Sequence, residues 1–104
     1  MIVTTAETIA GRTIGGTLGI ARGNTIRARH VGTDIVAGLR NIVGGEVPEY
    51  TKLLAEAREQ AYDRMVVSAQ AMGADAIIAM RFSISAISQG VAEILAYGTA
   101  VKLD

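Results

Sequence analysis

The chain has 104 residues, which is room for one domain, and its ten basic and ten acidic residues cancel to a net charge of zero. That balance, with a pI near 6.6, removes the electrostatic footprint of a general nucleic-acid binder or a polybasic membrane-surface protein. The absence of cysteine excludes disulfides, thiol catalysis and thiolate metal sites.

Hydrophobic residues form 50% of the chain but aromatics only 4%, so the core is built from Ala, Val, Ile and Leu. A mean hydropathy of +0.35 leaves more apolar area than a small monomer can hide, and this points to subunit contacts. Residues Met1 to Gly16 lack the pattern of a secretory leader, and no apolar run approaches the ~20 residues of a membrane-spanning helix. The expectation is a cytoplasmic protein of one domain, 1–104, with no nucleic-acid or membrane partner.

Ile2 to Thr5 reads as a short strand, followed by a glycine-rich connection through Gly11, Gly15 and Gly16. In the segment after it, Leu18, Ile20, Ile26, Ala28 and His30 share one parity while Arg27 and Arg29 take the other, as in a half-buried strand. Gly23-Asn24 interrupts that strand as a bulge or tight turn. Thr33-Asp34 caps a short helix carrying Ile35, Val36, Leu39, Ile42 and Val43, which stops at Gly44-Gly45.

Pro48 then starts a long helix, at the position where its missing N–H costs nothing. Its apolar stripe runs through Tyr50, Leu54, Ala57, Ala61, Met65, Ala69 and Met72 to Gly73, a C-cap. Ala57 and Ala61 allow another backbone to come close. Two strands close the chain. The first alternates Ala76, Ile78, Met80, Phe82, Ile84 and Ala86 with Ile77, Ala79, Arg81, Ser83 and Ser85. A three-residue loop, Ser88-Gln89-Gly90, sets Ile87 opposite Val91, Ser85 opposite Glu93, Ser83 opposite Leu95 and Arg81 opposite Tyr97. One face of this hairpin, with Ala92, Ile94, Ala96, Gly98 and Ala100, should lie under the long helix. The other mixes Arg81, Ser83, Ser85, Glu93 and Tyr97 with Leu95 and Val101, and suits a subunit interface or a lined cavity.

Chemistry is sparse. Gly15-Gly16-Thr17-Leu18-Gly19 lacks the Lys-Ser/Thr of a phosphate loop and the following helix of a dinucleotide fingerprint, so turn and packing glycines explain it better. Gly38 and Gly44-Gly45 around Arg40 could hold an anion, but a plain helix stop is the simpler account. His30 is the sole histidine, and a metal site wants three or four convergent ligands. Only a symmetric ring that repeats His30 would assemble such a set. Glu56, Glu59 and Asp63, interspersed with Arg58 and Arg64, read as a solvated helix face. No catalytic constellation and no cofactor are expected, so a non-enzymatic homo-oligomeric binding or scaffold protein leads. A metal- or small-ligand-binding protein with its site between subunits is the alternative. The candidate ligand-binding or interface residues are Arg40, Asn41, Arg81, Glu93 and Tyr97.

Several of these segments together resemble one family. Val3-Thr4-Thr5, Leu18-Gly19-Ile20 and Gly38-Leu39-Arg40-Asn41-Ile42 with Gly44-Gly45 match the YbjQ-like pattern in order. So do Glu56-Ala57-Arg58-Glu59, Gly73-Ala74-Asp75-Ala76 and Tyr97-Gly98-Thr99-Ala100-Val101-Lys102-Leu103. The family carries a heavy-metal-binding label and no established activity. The resemblance implies an α+β fold: an antiparallel or mixed sheet with a C-terminal hairpin, one short and one long helix on one face, and assembly into a ring, a pentamer. Two places depart from it. After Arg81 the family has an acidic residue and then an aromatic one where this chain has Ser83 and Ile84, and Glu46-Val47-Pro48 replaces a polar capping segment. The first departure removes a potential ligand carboxylate.

Overall fold

The computed structural model describes residues 1–28 and 48–104. Among them the chain forms β1 (Ile2–Val3), β2 (Ile14–Ala28), α1 (Pro48–Ala71), β3 (Ala76–Ser88) and β4 (Val91–Leu103). The expected short helix over 33–43 and its glycine stop lie outside the described residues. The sheet is mixed, in the order β1-β3-β4-β2: β1 runs parallel to β3, and β4 is antiparallel to both its neighbours.

The helix begins at Pro48 as expected, and its alanine stripe is its buried side. Ala57, Ala61, Met65 and Ala69 have no accessible surface, and Leu54 packs against them in part. Gly73 ends it at φ +79. Its N–H donates to Gln70 O at 3.0 Å and that of Ala74 to Ala69 O at 3.1 Å, which satisfies two carbonyls the last turn leaves open. The stripe lies on β2 and β4 and barely reaches β3. Ile94, Ala96 and Ala100 of β4 meet it from below, so the small-residue face of the hairpin is where the pattern put it.

β2 corrects three expectations. Gly15 and Gly16 belong to the strand, with register shifts against β4 between Ile14 and Gly16 and between Thr17 and Gly19. Gly23 and Asn24 are neither bulge nor turn, since they pair in regular register with Ala96 and Leu95. The buried parity is also the reverse of the apolar one. Ala21 and Thr25 are buried, while Ile20 and Ile26 stand about three-fifths exposed on the other face. The helix dictates this choice. A Cβ on Gly23 would stand 2.3 Å from Met65 N and 2.4 Å from Ala61 O, so strand and helix backbones touch here and no larger side chain fits. Thr25 completes the contact, its hydroxyl donating to Ala57 O at 3.1 Å.

β3 departs from strict alternation at Ala79. Ile78 pairs with Thr99 and Arg81 with Tyr97, so Ala79 and Met80 form a bulge opposite Gly98. Ala79 sits at φ 52, a left-handed conformation held by its N–H to Ala6 O at 2.8 Å. The bulge sends Ile78 and Met80 to opposite faces. Met80 joins the core under the helix, and Ile78 joins a second cluster with Ala76 and Val101, backed by Ile9, Ile14 and Leu103. Val101 is thus buried beneath the N-terminal segment and does not lie on the open face with Leu95. At the tip, Ser88 rather than Ile87 pairs with Val91 around a two-residue turn, with a second register shift at Ile87. Arg81–Tyr97, Ser83–Leu95 and Ser85–Glu93 pair as expected.

The result is a slab of 54 × 24 × 16 Å with a radius of gyration of 17.0 Å, where ~13 Å suits a compact chain of this length. Its accessible surface of 6553 Å² likewise exceeds the roughly 5,500 Å² of a compact monomer of this mass.

Candidate functional site

The side of the sheet away from the helix divides in two. At one end the segment after β1 folds over it, Ile9 and Ile14 covering Ile78 and Val101. Asp75 fastens that end: its carboxylate accepts Leu103 N at 2.9 Å and stands 3.7 Å from Lys102 Nζ. The backbone donor, then Lys102 and Arg12, hold its pKa below the ordinary carboxyl value.

The other end is open. Strand register sets three cross-strand rows there: Arg22–Tyr97–Arg81, then Asn24–Leu95–Ser83, then Ile26–Glu93–Ser85. Tyr97 is 37% exposed, placed in register between two arginines, and Ile20 lies just beyond the first row. Within one subunit Arg81 and Glu93 have separate partners. Arg81 donates to Thr5 O at 2.9 Å and Met80 O at 2.8 Å, tying the bulge to the N-terminal segment. Glu93 accepts from Asn24 Nδ2 at 3.1 Å. Arg40, Asn41 and His30 lie outside the described residues.

On the helix side, a cleft of about 110 Å³ lies between the hairpin tip and the first half of α1. Leu53, Leu54, Ala86, Val91 and Ala92 line it, with Arg27 at its edge. It falls well short of the roughly 300–1,000 Å³ of an ordinary ligand pocket and is too small for a nucleotide. Arg27 is turned aside to Gln60 Oε1, 2.8 Å away. Glu56, Glu59 and Asp63 are exposed on the outer flank of the helix, as a solvated face requires. Among the described residues no three His, Asp or Glu side chains come within reach of one ion, and no buried side-chain polar atom lacks a partner. No described helix is long and apolar enough to cross a membrane. Sequence reasoning missed Arg22 and Asn24 as members of the open face, because it put the other parity of β2 inside. The register from Tyr97 and Glu93 across β4 was the signal that places them.

The family model described as "Putative heavy-metal-binding" matches residues 1–104. A "UPF0145 protein" of Methanosarcina acetivorans is 59% identical over 103 residues, covering 99% of this chain and 97% of that one. Another, from Dehalococcoides mccartyi, is 56% identical over 104 residues and all of both chains. Among solved structures, a protein of unknown function from Pediococcus pentosaceus, assigned to the DUF74 family, superposes with a TM-score of 0.67. It is 16% identical and the match covers 100% of this chain and 98% of that one, a likeness of fold.

Proposed function

We propose, since the chain belongs to the YbjQ-like family of UPF0145 proteins, that it works as a homo-oligomeric binding or scaffold protein without catalytic activity. The observation that supports this is surplus surface. An elongated slab keeps Ile20, Ile26, Ile84 and Ile87 more than half exposed, and such aliphatic side chains gain from a second protein surface in proportion to the apolar area it covers. The ring, a pentamer by family resemblance, is the assembly in which these side chains find cover.

The metal label fits one subunit poorly. A soft ion wants thiolate or several imidazoles, and the chain has no cysteine and one histidine. The second reading therefore puts the site between subunits, where symmetry repeats His30 or brings Arg40, or Arg81 with Glu93, against a neighbour. The open row Arg22–Tyr97–Arg81 favours a small anionic ligand over a metal at such a joint.

Native mass spectrometry of the full chain separates these readings, since it reports stoichiometry and retained mass together. A peak several-fold above 10.8 kDa without added mass is the outcome expected of the scaffold. A ring with stoichiometric extra mass supports the intersubunit site. A monomer at micromolar concentration overturns both.

A further inference from the structure

Among the described residues no strand pairs with the outer edge of β3 beyond Met80, and it is the most exposed stretch of the sheet. Every residue from Arg81 to Gln89 is exposed, on both faces, while the same strand before the bulge is buried. β1 and the segment after it cover β3 only as far as Met80, whose N–H donates to Thr4 O at 3.0 Å. Backbone groups alternate along a strand, so beyond Met80 the outward N–H and C=O groups are those of Phe82, Ile84 and Ala86. By the same alternation, Arg81, Ser83 and Ser85 turn theirs to their β4 partners. No described residue meets the outward groups. Natural sheets blunt such an edge with charge, proline or a covering element, and Phe82-Ser83-Ile84-Ser85-Ala86 has neither charge nor proline.

Phe82 and Ile84 also point their side chains to the helix side of the sheet, because their partners Ala96 and Ile94 are buried beneath α1. Yet α1 lies over β2 and β4, and the two side chains remain 43% and 57% exposed. What β3 lacks is therefore a strand beside it and a helix above that strand. β2 with α1 is that combination. β2 is the other edge of the sheet and runs in the same direction as β3, since both are antiparallel to β4. By the same alternation its outward groups belong to Ile20, Arg22, Asn24 and Ile26. Of these, the Asn24 carbonyl is engaged by Arg64 Nη1, 2.6 Å away.

We infer that the β3 edge from Phe82 to Ala86 receives the β2 edge of a second copy of this chain, whose α1 then covers Phe82 and Ile84. The inference rests on the homo-oligomeric reading above and names its joint. Area favours this joint over a two-fold pairing of β3 with β3. An eight-residue edge is ~27 Å long and, at ~10 Å of sheet thickness, hides on the order of 270 Å² per partner, about a third of the ~800 Å² of a stable interface. A second β3 brings no helix to supply the remainder; β2 does. The joint is head-to-tail, so repeated pairing builds a ring when the rotation between copies closes, and not a two-fold dimer.

Two measurements on the full chain test this. In the wild-type assembly, hydrogen exchange of the Phe82, Ile84 and Ala86 amides should be slowed roughly tenfold or more relative to free edge amides. Ile84→Pro deletes one outward N–H and no internal ladder bond, a position where a strand accepts proline. It should keep the far-ultraviolet spectrum of the wild type and fall to the mass of one chain. Should it fail to fold, Ile84→Lys, a charge on an already exposed side chain, should dissociate the assembly in the same way. An assembly with unprotected amides and variants of unchanged mass overturns the joint and leaves the oligomer standing. A wild-type dimer also overturns it, in favour of two-fold pairing. A wild-type monomer removes the oligomeric reading itself.

Discussion

Replacing Gly23 by alanine tests the close seating of α1 on the sheet. The added Cβ would stand 2.3 Å from Met65 N, 2.4 Å from Ala61 O and 2.6 Å from Arg64 Cβ. Ordinary contact begins near 3.4 Å, so the deficit is about 1 Å, and two of the three atoms are helix backbone that no rotamer change can move. The helix must lift. A gap of that size forfeits a quarter to a half of each dispersion contact, which over some forty atom pairs at 0.1–0.2 kcal/mol comes to roughly 2–3 kcal/mol. The Thr25 hydroxyl loses its 3.1 Å bond to Ala57 O and stays buried, adding about 1–3 kcal/mol. The expected loss is about 3–6 kcal/mol, a large share of the roughly 5–15 kcal/mol of a typical domain, and it lowers Tm by roughly 15–30 °C. Urea denaturation followed by circular dichroism at one fixed protein concentration reads it, since assembly ties apparent stability to concentration. Adding Ala61→Gly should rescue nothing, because the obstacle is a backbone oxygen. A loss under about 1 kcal/mol, or rescue by that second change, would refute the backbone contact.

Two further changes probe local features. Ala79 holds a left-handed conformation that costs an L-residue ~1 kcal/mol, so Ala79→Gly should lie within about 0.5 kcal/mol of wild type despite glycine's entropy, whereas Ala79→Val should lose about 1–3 kcal/mol by urea midpoint. Asp75 has a depressed pKa, so its ionised form stabilises the fold above the ordinary carboxyl value of about 3.9, and that contribution fades as pH falls through the lower, folded value. The urea midpoints of wild type and Asp75→Asn should therefore differ at pH 7 and converge as the pH falls below the depressed folded value; a constant difference would show that the charge is immaterial.

What the sequence made legible follows from how local each signal is. The long helix was readable because alanines at fourfold spacing, a proline at its start and Gly73 at its end all act within a few residues. The hairpin register was readable from Gly90, even though the turn is shorter by one residue than the pattern suggested. β2 was misread because hydrophobicity was taken as the guide to its inner face. A helix resting on bare backbone needs smallness instead, and Ala21, Gly23 and Thr25 satisfy it while larger aliphatics face out. The bulge was illegible for another reason: Ala79 carries no hint of a left-handed backbone, which the pairing of Ala6 and Thr4 beside it imposes. The open face was half readable, since Tyr97, Arg81 and Glu93 were assigned to it, but their partners depend on β2 and on the N-terminal segment, both distant in sequence.

The strand order carries a consequence for how the chain reaches this state. The hairpin of β3 and β4 closes over a two-residue turn, an event of microseconds, and the long helix precedes it immediately in sequence. β2 must find β4 across a separation such as the 69 residues between Asn24 and Glu93, and closing a loop that long is the slow step in chains dominated by non-local pairing. At the rate-limiting barrier the helix-hairpin unit is then formed and β2 has yet to make its native contacts. Changes in β2, Gly23→Ala among them, should speed unfolding and leave refolding nearly untouched, whereas changes in the hairpin should slow refolding. Until β2 arrives, β4 has an open side as well as β3, and during that interval a nascent chain is most prone to pair with the wrong neighbour.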